Sequence, residues 1–218
     1  MKHKTSHALF TYWNEIRGQR VAPRRFEIEP ARLSAILPDT FILDCGEPGL
    51  HRFRLAGTRM SSLLGRDLRD SALSGLFEAS EHATLRHALA QAIDQAAVIV
   101  LTAVATPAGS PAALVSPDAG LEPGPRIEFV LLPLFHMQNH VTRLLGSAVA
   151  LEPAPPGRPQ APALQRLVGQ ETIWPDGRPQ AVLQQLHRQS PFAPELRTGR
   201  IVTSDRRRFR VFDGGKAP

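Results

Sequence analysis

The stretch RFRLAGTRMSSLLGRDL, residues 52–68, limits the possible folds of this chain more than any other segment. Its first part alternates apolar and basic residues, which is typical of a strand that directs Phe53 and Leu55 into the core. The small residues at 56–58 then turn the chain into a short helical segment that ends at Gly65. Such a segment carries the chain compactly from one edge of a sheet to the other. We therefore expect a cavity between the crossing segment and the sheet.

The hydrophobic periodicity of the remaining chain predicts strands on either side of a group of helices. Apolar residues three and four positions apart predict a helix over residues 3–18, and the run at 41–43 predicts the partner strand of residues 52–55. A longer helix is predicted over residues 83–95. The last three predicted strands cover residues 96–106, 126–135 and 141–153. This order predicts an α+β fold, with a single five-stranded antiparallel sheet covered on one face by short helices.

The positive charge of the chain is concentrated in its last third. Residues 1–152 contain 15 basic and 15 acidic residues, whereas residues 153–218 contain 11 basic and 5 acidic residues and so carry the whole net charge of +6. The segment 153–163 is rich in proline, which is typical of an extended linker. We therefore divide the chain into an N-terminal helix with its connector (1–30), a central domain (31–152), and a linker with a basic C-terminal extension (153–218).

The composition favours a folded protein of the cytoplasm. Hydrophobic residues make up 42% of the chain and charged residues 21%, a balance that allows a core and excludes global disorder. The longest uncharged run is broken by prolines and polar residues, so it does not indicate a membrane span. The basic N-terminus lacks the apolar segment of a signal peptide. Cys45 is the single cysteine, which excludes an internal disulfide, and we expect it to be a small buried side chain on a strand.

Four blocks of sequence carry a resemblance to a known family. They are YWNEIRGQRVAPRRFEIEP (12–30), LPDTFILDC (37–45), HRFRLAGTRMSSLLGRDL (51–68) and RRRFRVFDGG (206–215). Together with the element order, they resemble the PAS domain family, and more narrowly a bacterial group in which one PAS domain makes up most of a small protein. The resemblance implies a sensory or interaction domain of signal transduction rather than an enzyme. Because the 66 residues after Glu152 are too few for a kinase, we expect this protein to act through a signalling partner.

The resemblance also implies a pocket between the helices and the sheet, where PAS domains bind a small ligand or cofactor, or nothing. The side chains expected to line it are Phe53, Leu55, Met60, Leu64, Phe77, Leu89, Phe129 and Leu131. A haem would need an imidazole in this pocket. We expect the four candidate histidines to take surface or capping positions instead; they are His82, His87, His136 and His140. Flavin photochemistry needs a cysteine on a helix, whereas Cys45 is predicted on a strand, so we expect no cofactor.

Two further groups of side chains leave alternatives open. PAS domains commonly dimerise through an N-terminal helix or the sheet face, and Tyr12, Trp13 and Ile16 on the first predicted helix could form such a homodimer interface. The two aromatic residues could equally pack under the sheet edge. Three arginines could reach an acidic ligand in the pocket, although we favour a solvated strand face. They are Arg52, Arg54 and Arg59.

The C-terminal segment 197–212 interleaves arginines with apolar residues. Its tightest cluster is Arg206, Arg207, Arg208 and Arg210. We favour a segment that folds back on the domain or binds an acidic protein. The alternative is contact with nucleic acid, but no helix-turn-helix, zinc-binding or RNA-binding signature accompanies the arginines. The sequence also shows no phosphate loop, no metal-ligand spacing and no nucleophile paired with a base, and these absences disfavour an enzyme.

Overall fold

A computed structural model describes residues 1–47, 49–106, 125–135, 141–152 and 164–177. Its α-helices are α1 (Lys4–Arg17), α2 (Thr58–Leu64) and α3 (His82–Asp94), and its strands are β1 (Thr40–Glu47), β2 (Leu50–Ala56), β3 (Val98–Thr106), β4 (Arg126–Phe135), β5 (Val141–Ala150) and β6 (Leu164–Ile173). The six strands form one sheet in the order β2-β1-β5-β4-β3-β6, and every neighbouring pair is antiparallel. The predicted α+β class with an antiparallel sheet is confirmed.

The sheet has six strands rather than five, because β6 pairs with β3 along its whole length. The sequence analysis assigned these residues to the C-terminal extension. β6 lies at the edge of the sheet, so polar residues occupy both of its faces and the alternation that identifies a buried strand is weak. Val168 is the extra residue of a bulge in β6, which interrupts the alternation further. Residues 175–177 form a turn after β6, and Gly177 in this turn has a φ of +73°. Proline and glycine at such positions are the local sign in the sequence that a strand ends there.

Helices cover both faces of the sheet, because the N-terminal helix α1 lies on the face opposite α3. Two neighbouring residues of β6 make contacts at different helices. Thr172 donates to Gln91 of α3 at 3.1 Å, whereas the carboxylate of Glu171 meets the amino group of Met1, just before α1, at 2.8 Å. Since neighbouring side chains of a strand point to opposite faces, α3 and α1 lie on opposite sides of the sheet.

Helix α1 packs through one apolar stripe onto strands β4 and β5. Leu9 and Trp13 are fully buried on this stripe, and the indole N–H of Trp13 donates to the carbonyl oxygen of Pro133 at 2.8 Å. The helix begins after His3, whose ring nitrogen accepts from the N–H of Thr5. An indole that is buried with its N–H satisfied fixes both the rotation and the position of a helix.

The crossing segment of residues 56–65 is built as the sequence predicted. α2 begins after Gly57 and ends at Gly65, whose left-handed conformation (φ 65°) closes the helix. Gly57 lies against the backbone of Pro38, so closely that a β-carbon there would overlap the Pro38 carbonyl group. The glycine therefore allows the start of α2 to pack on the segment that leads into β1.

Candidate functional site

Seven of the eight side chains predicted to line the pocket are buried in one core between the sheet and the helices. Met60 and Leu64 come from α2, Leu89 from α3, and the others from β2, β4 and the segment before α3. Phe77 and Phe129, two aromatic members of this group, are in direct contact, because their ring centroids lie 5.5 Å apart. These elements therefore bring the seven side chains into one apolar core.

A second aromatic pair, Phe41 and Phe53, packs within the same core. The rings of Phe41 and Phe53 meet edge to face at 5.4 Å. The Phe41 ring lies directly over Gly146 of β5, where a β-carbon would overlap both the ring and the carbonyl oxygen of Val130. Glycine at position 146 thus makes room for the ring at the centre of the sheet.

Leu55 was wrongly assigned to the pocket. Ile42 pairs with Leu55 and the next residue, Leu43, pairs with Phe53, so Arg54 is an extra residue in β2. Such an extra residue reverses which face of the sheet the side chains beyond it point to. Phe53 therefore points into the core, whereas Leu55 points to the opposite face and is 54% exposed. Straight alternation without the bulge would have placed both side chains in the core.

The aromatic side chains of α1 belong to the core. Tyr12 and Trp13 are buried, and Ile16 is partly buried against the same cluster. Of the two alternatives left open by the sequence, this structure shows packing against the sheet. A dimer interface on α1 would have to use the exposed face of the helix, which carries His7, Thr11 and Asn14.

The three arginines near the hairpin have separate surroundings. Arg59 forms an ion pair with Asp39 at 2.7 Å, and Arg52 donates to the carbonyl oxygen of Asp70 at 2.9 Å. Arg52 and Arg54 border a surface groove of about 260 Å³ at the β2 edge, outside the apolar core. Asp44 lines the same groove. Burial would raise the pKa of this carboxyl, but the hydrogen bond and charge of Arg143 and the N–H of Gly46 hold it below its ordinary value.

The residues considered for cofactor binding lie apart from one another. The ring of His82 bonds to the carbonyl oxygens of Ser74 and Phe77, a capping position, while His87 is exposed on α3. Cys45 lies on β1, where burial raises the pKa of its thiol to about 12. In the part of the chain that the structure describes, no three His, Cys, Asp or Glu side chains gather as a metal site would require. His136, His140 and the arginines of 206–210 lie outside the described residues.

Glu128 is a buried anchor that the sequence analysis missed. It lies on β4, is 1% exposed, and accepts the N–H groups of Lys2 at 2.6 Å and His3 at 3.1 Å. Burial alone would raise the pKa of this carboxyl, but the Ser6 hydroxyl and the two N–H groups that face it lower its pKa below the ordinary value. The signal in the sequence was a single acidic residue inside the apolar run RIEFVLL. A buried carboxylate needs donors, and here they come from the start of α1.

Comparison with known proteins now identifies the family. A family model described as PAS domain matches residues 1–149, which include α1, the first four strands and all but the last residue of β5. The match covers more than half of the chain, and the protein therefore belongs to the PAS domain family, as the sequence blocks predicted. Its members are sensory or signalling domains. None of the curated proteins matches the chain. Among the described residues, no helix is both long and apolar enough to cross a membrane.

Proposed function

We propose that this chain is a PAS signalling protein that acts by binding other proteins, both a second copy of itself and a signalling partner, rather than by catalysing a reaction. Membership of the family supports the sensory role. The described residues form a single unit, made of one sheet and the segments that cover it. Such a unit offers its surface for binding, and this supports protein contact as the mode of action. In this proposal, the surface of that unit transmits the signal.

The observation that carries the proposal is the packing of the core side chains. Seven of the eight side chains predicted to line a pocket are buried there, and the ring centroids of Phe77 and Phe129 lie 5.5 Å apart. A ligand in this space would displace buried side chains at the cost of the contacts that they make. Contact through the surface carries no such cost.

The experiment measures self-association and partner contact with the same protein. A photoreactive amino acid replaces Thr11, Leu55 or Val168, three exposed positions on α1, β2 and β6. After irradiation of living cells, we expect a crosslinked dimer or a larger adduct from at least one position, and sedimentation of the purified chain should show a dimer. The unsubstituted chain, irradiated in the same way, is the control. A monomer in sedimentation that forms no adduct from any position would contradict the proposal.

A further inference from the structure

The turn that follows α1 is held rigidly although it lies on the surface. At its start, the N–H of Phe135 in β4 donates to the carbonyl oxygen of Pro23 at 2.9 Å. At its end, the hydroxyl of Tyr12 accepts the N–H of Glu29 at 2.7 Å. Within the turn, Glu27 accepts the N–H of Arg24 at 2.7 Å. These contacts fix residues 23–29 at both ends and in the middle.

This rigid turn presents an aromatic ring to solvent. Phe26 is 74% exposed, more than any other large apolar side chain among the described residues. The guanidinium of Arg24 lies over the ring, 5.9 Å from its centre. The ring contributes little to the core, because its surface remains in water. Burial of an exposed ring by a partner is favourable, and an ordered backbone loses little flexibility when the partner binds.

The surroundings of Phe26 are basic. Arg24 and Arg25 are both exposed, and within the described residues neither lies at ion-pair distance from a carboxylate. Glu27 is already engaged, since it bonds with Arg20 at 2.8 Å as well as with the backbone of the turn. The surface that a partner would meet is therefore one aromatic ring with the Arg24 guanidinium over it and the exposed Arg25 next in the chain.

We infer that Arg24, Arg25 and Phe26 form a docking site for a protein that presents an apolar pocket bordered by carboxylates. This inference rests on the proposed function and names the chemistry of the partner. The two arginines favour a partner with carboxylates at the border of its site, since guanidinium groups form paired hydrogen bonds with carboxylates. The exposed ring favours a partner with an apolar pocket that can bury it.

The C-terminal segment of the chain itself does not have this chemistry. Residues 178–218 contain nine basic residues and three acidic ones. A segment of this charge would be repelled by Arg24 and Arg25. A separate acidic protein is therefore the occupant that the charges favour.

The test selects binders from random twelve-residue peptides displayed on phage, with the full chain as the target. We expect the enriched peptides to combine aspartate or glutamate with neighbouring aromatic or aliphatic residues. Synthetic copies should bind Phe26→Ala at least about tenfold more weakly than the unaltered chain. The double variant R24A/R25A should bind them weakly and with less dependence on salt. Val168→Ala and Arg86→Ala, which remove an exposed apolar and an exposed basic side chain elsewhere, should bind as the unaltered chain does.

Several results would overturn the docking site. Peptides without acidic residues, or peptides that bind Phe26→Ala as tightly as the unaltered chain, would place protein binding at another surface and leave the proposed function standing. Binding to vesicles of anionic phospholipid that depends on Phe26 would assign the turn to a membrane surface. Dissociation of a dimer by Phe26→Ala would assign it to a second copy of the chain. Enrichment of no peptide would count against the docking site and the proposed function together.

Discussion

Replacing Glu128 by glutamine should loosen α1 from the sheet. The carboxylate accepts two backbone N–H groups, from Lys2 and His3, while it is almost fully buried. Each hydrogen bond to a charged group contributes about 1.5–3 kcal/mol. Glutamine keeps one acceptor oxygen but turns an NH₂ group toward a donor. We therefore expect E128Q to lose about 2–4 kcal/mol of stability, which corresponds to a Tm lower by about 4–16 °C for a chain of this size.

The loss should depend on pH in a defined direction. The folded pKa of Glu128 lies below its ordinary value of 4.5, so its contribution is fully present above that value. It decreases as the pH falls below 4.5 and disappears once the pH has passed through the lower, folded pKa. The difference in stability between the unaltered chain and E128Q should therefore shrink over this range. The other carboxylates are common to both proteins, so the difference isolates Glu128.

Urea unfolding at several pH values, followed by tryptophan fluorescence and circular dichroism, measures this difference. Fluorescence reports on the packing of α1 because Trp13 lies on the buried face of this helix. Glu152→Gln is the matched control, since Glu152 pairs with Arg126 at an exposed position, and we expect it to unfold like the unaltered chain. An E128Q protein with an unchanged midpoint would refute the anchoring role. A difference that stays constant from neutral pH to below 4.5 would refute the role of the ionised carboxylate.

The packing makes three further predictions. Gly146→Ala should destabilise the chain by about 2 kcal/mol in urea unfolding, because the added methyl group overlaps the Phe41 ring and the carbonyl oxygen of Val130. An unchanged midpoint would contradict this packing. Phe53→Ser should cost about 3–5 kcal/mol, as a large-to-small core substitution does, whereas Leu55→Ser on the exposed face should change the same midpoint little. Equal losses would argue against the bulge. Cys45, with a pKa raised to about 12, should react with a thiol reagent at pH 8 only slowly in the folded chain and rapidly in urea; equal rates would show that the thiol is not buried.

Local patterns were sufficient for most of the fold. The periodicity of α1, the glycines around α2 and the three apolar runs each determine their element through nearby residues. The missed features depend on residues that are distant in sequence. The bulge at Arg54 is visible only from the pairing of β2 with β1, and it moves Leu55 from the core to the surface. β6 is recognisable mainly through its pairing with β3.

The candidate sites show the same difference between features set by nearby residues and features set by contacts distant in sequence. The burial of seven of the eight predicted pocket side chains could be predicted because apolar positions on predicted elements face a common core. The role of Glu128 could not be found, because its donors precede it by more than 120 residues in the sequence. The exposure of Phe26 was also hidden, since an apolar residue in a connector carries no local sign of whether the fold covers it. Long-range contacts decide both cases.

The most direct test of the whole account is the native mass spectrum of the purified protein. In the proposed function, the core binds no ligand and the surface makes the contacts. We therefore expect twice the 23.9 kDa mass of the chain, with no additional mass. A small molecule retained at one per chain would contradict a core without a ligand, and a monomer at micromolar concentration would contradict the homodimer.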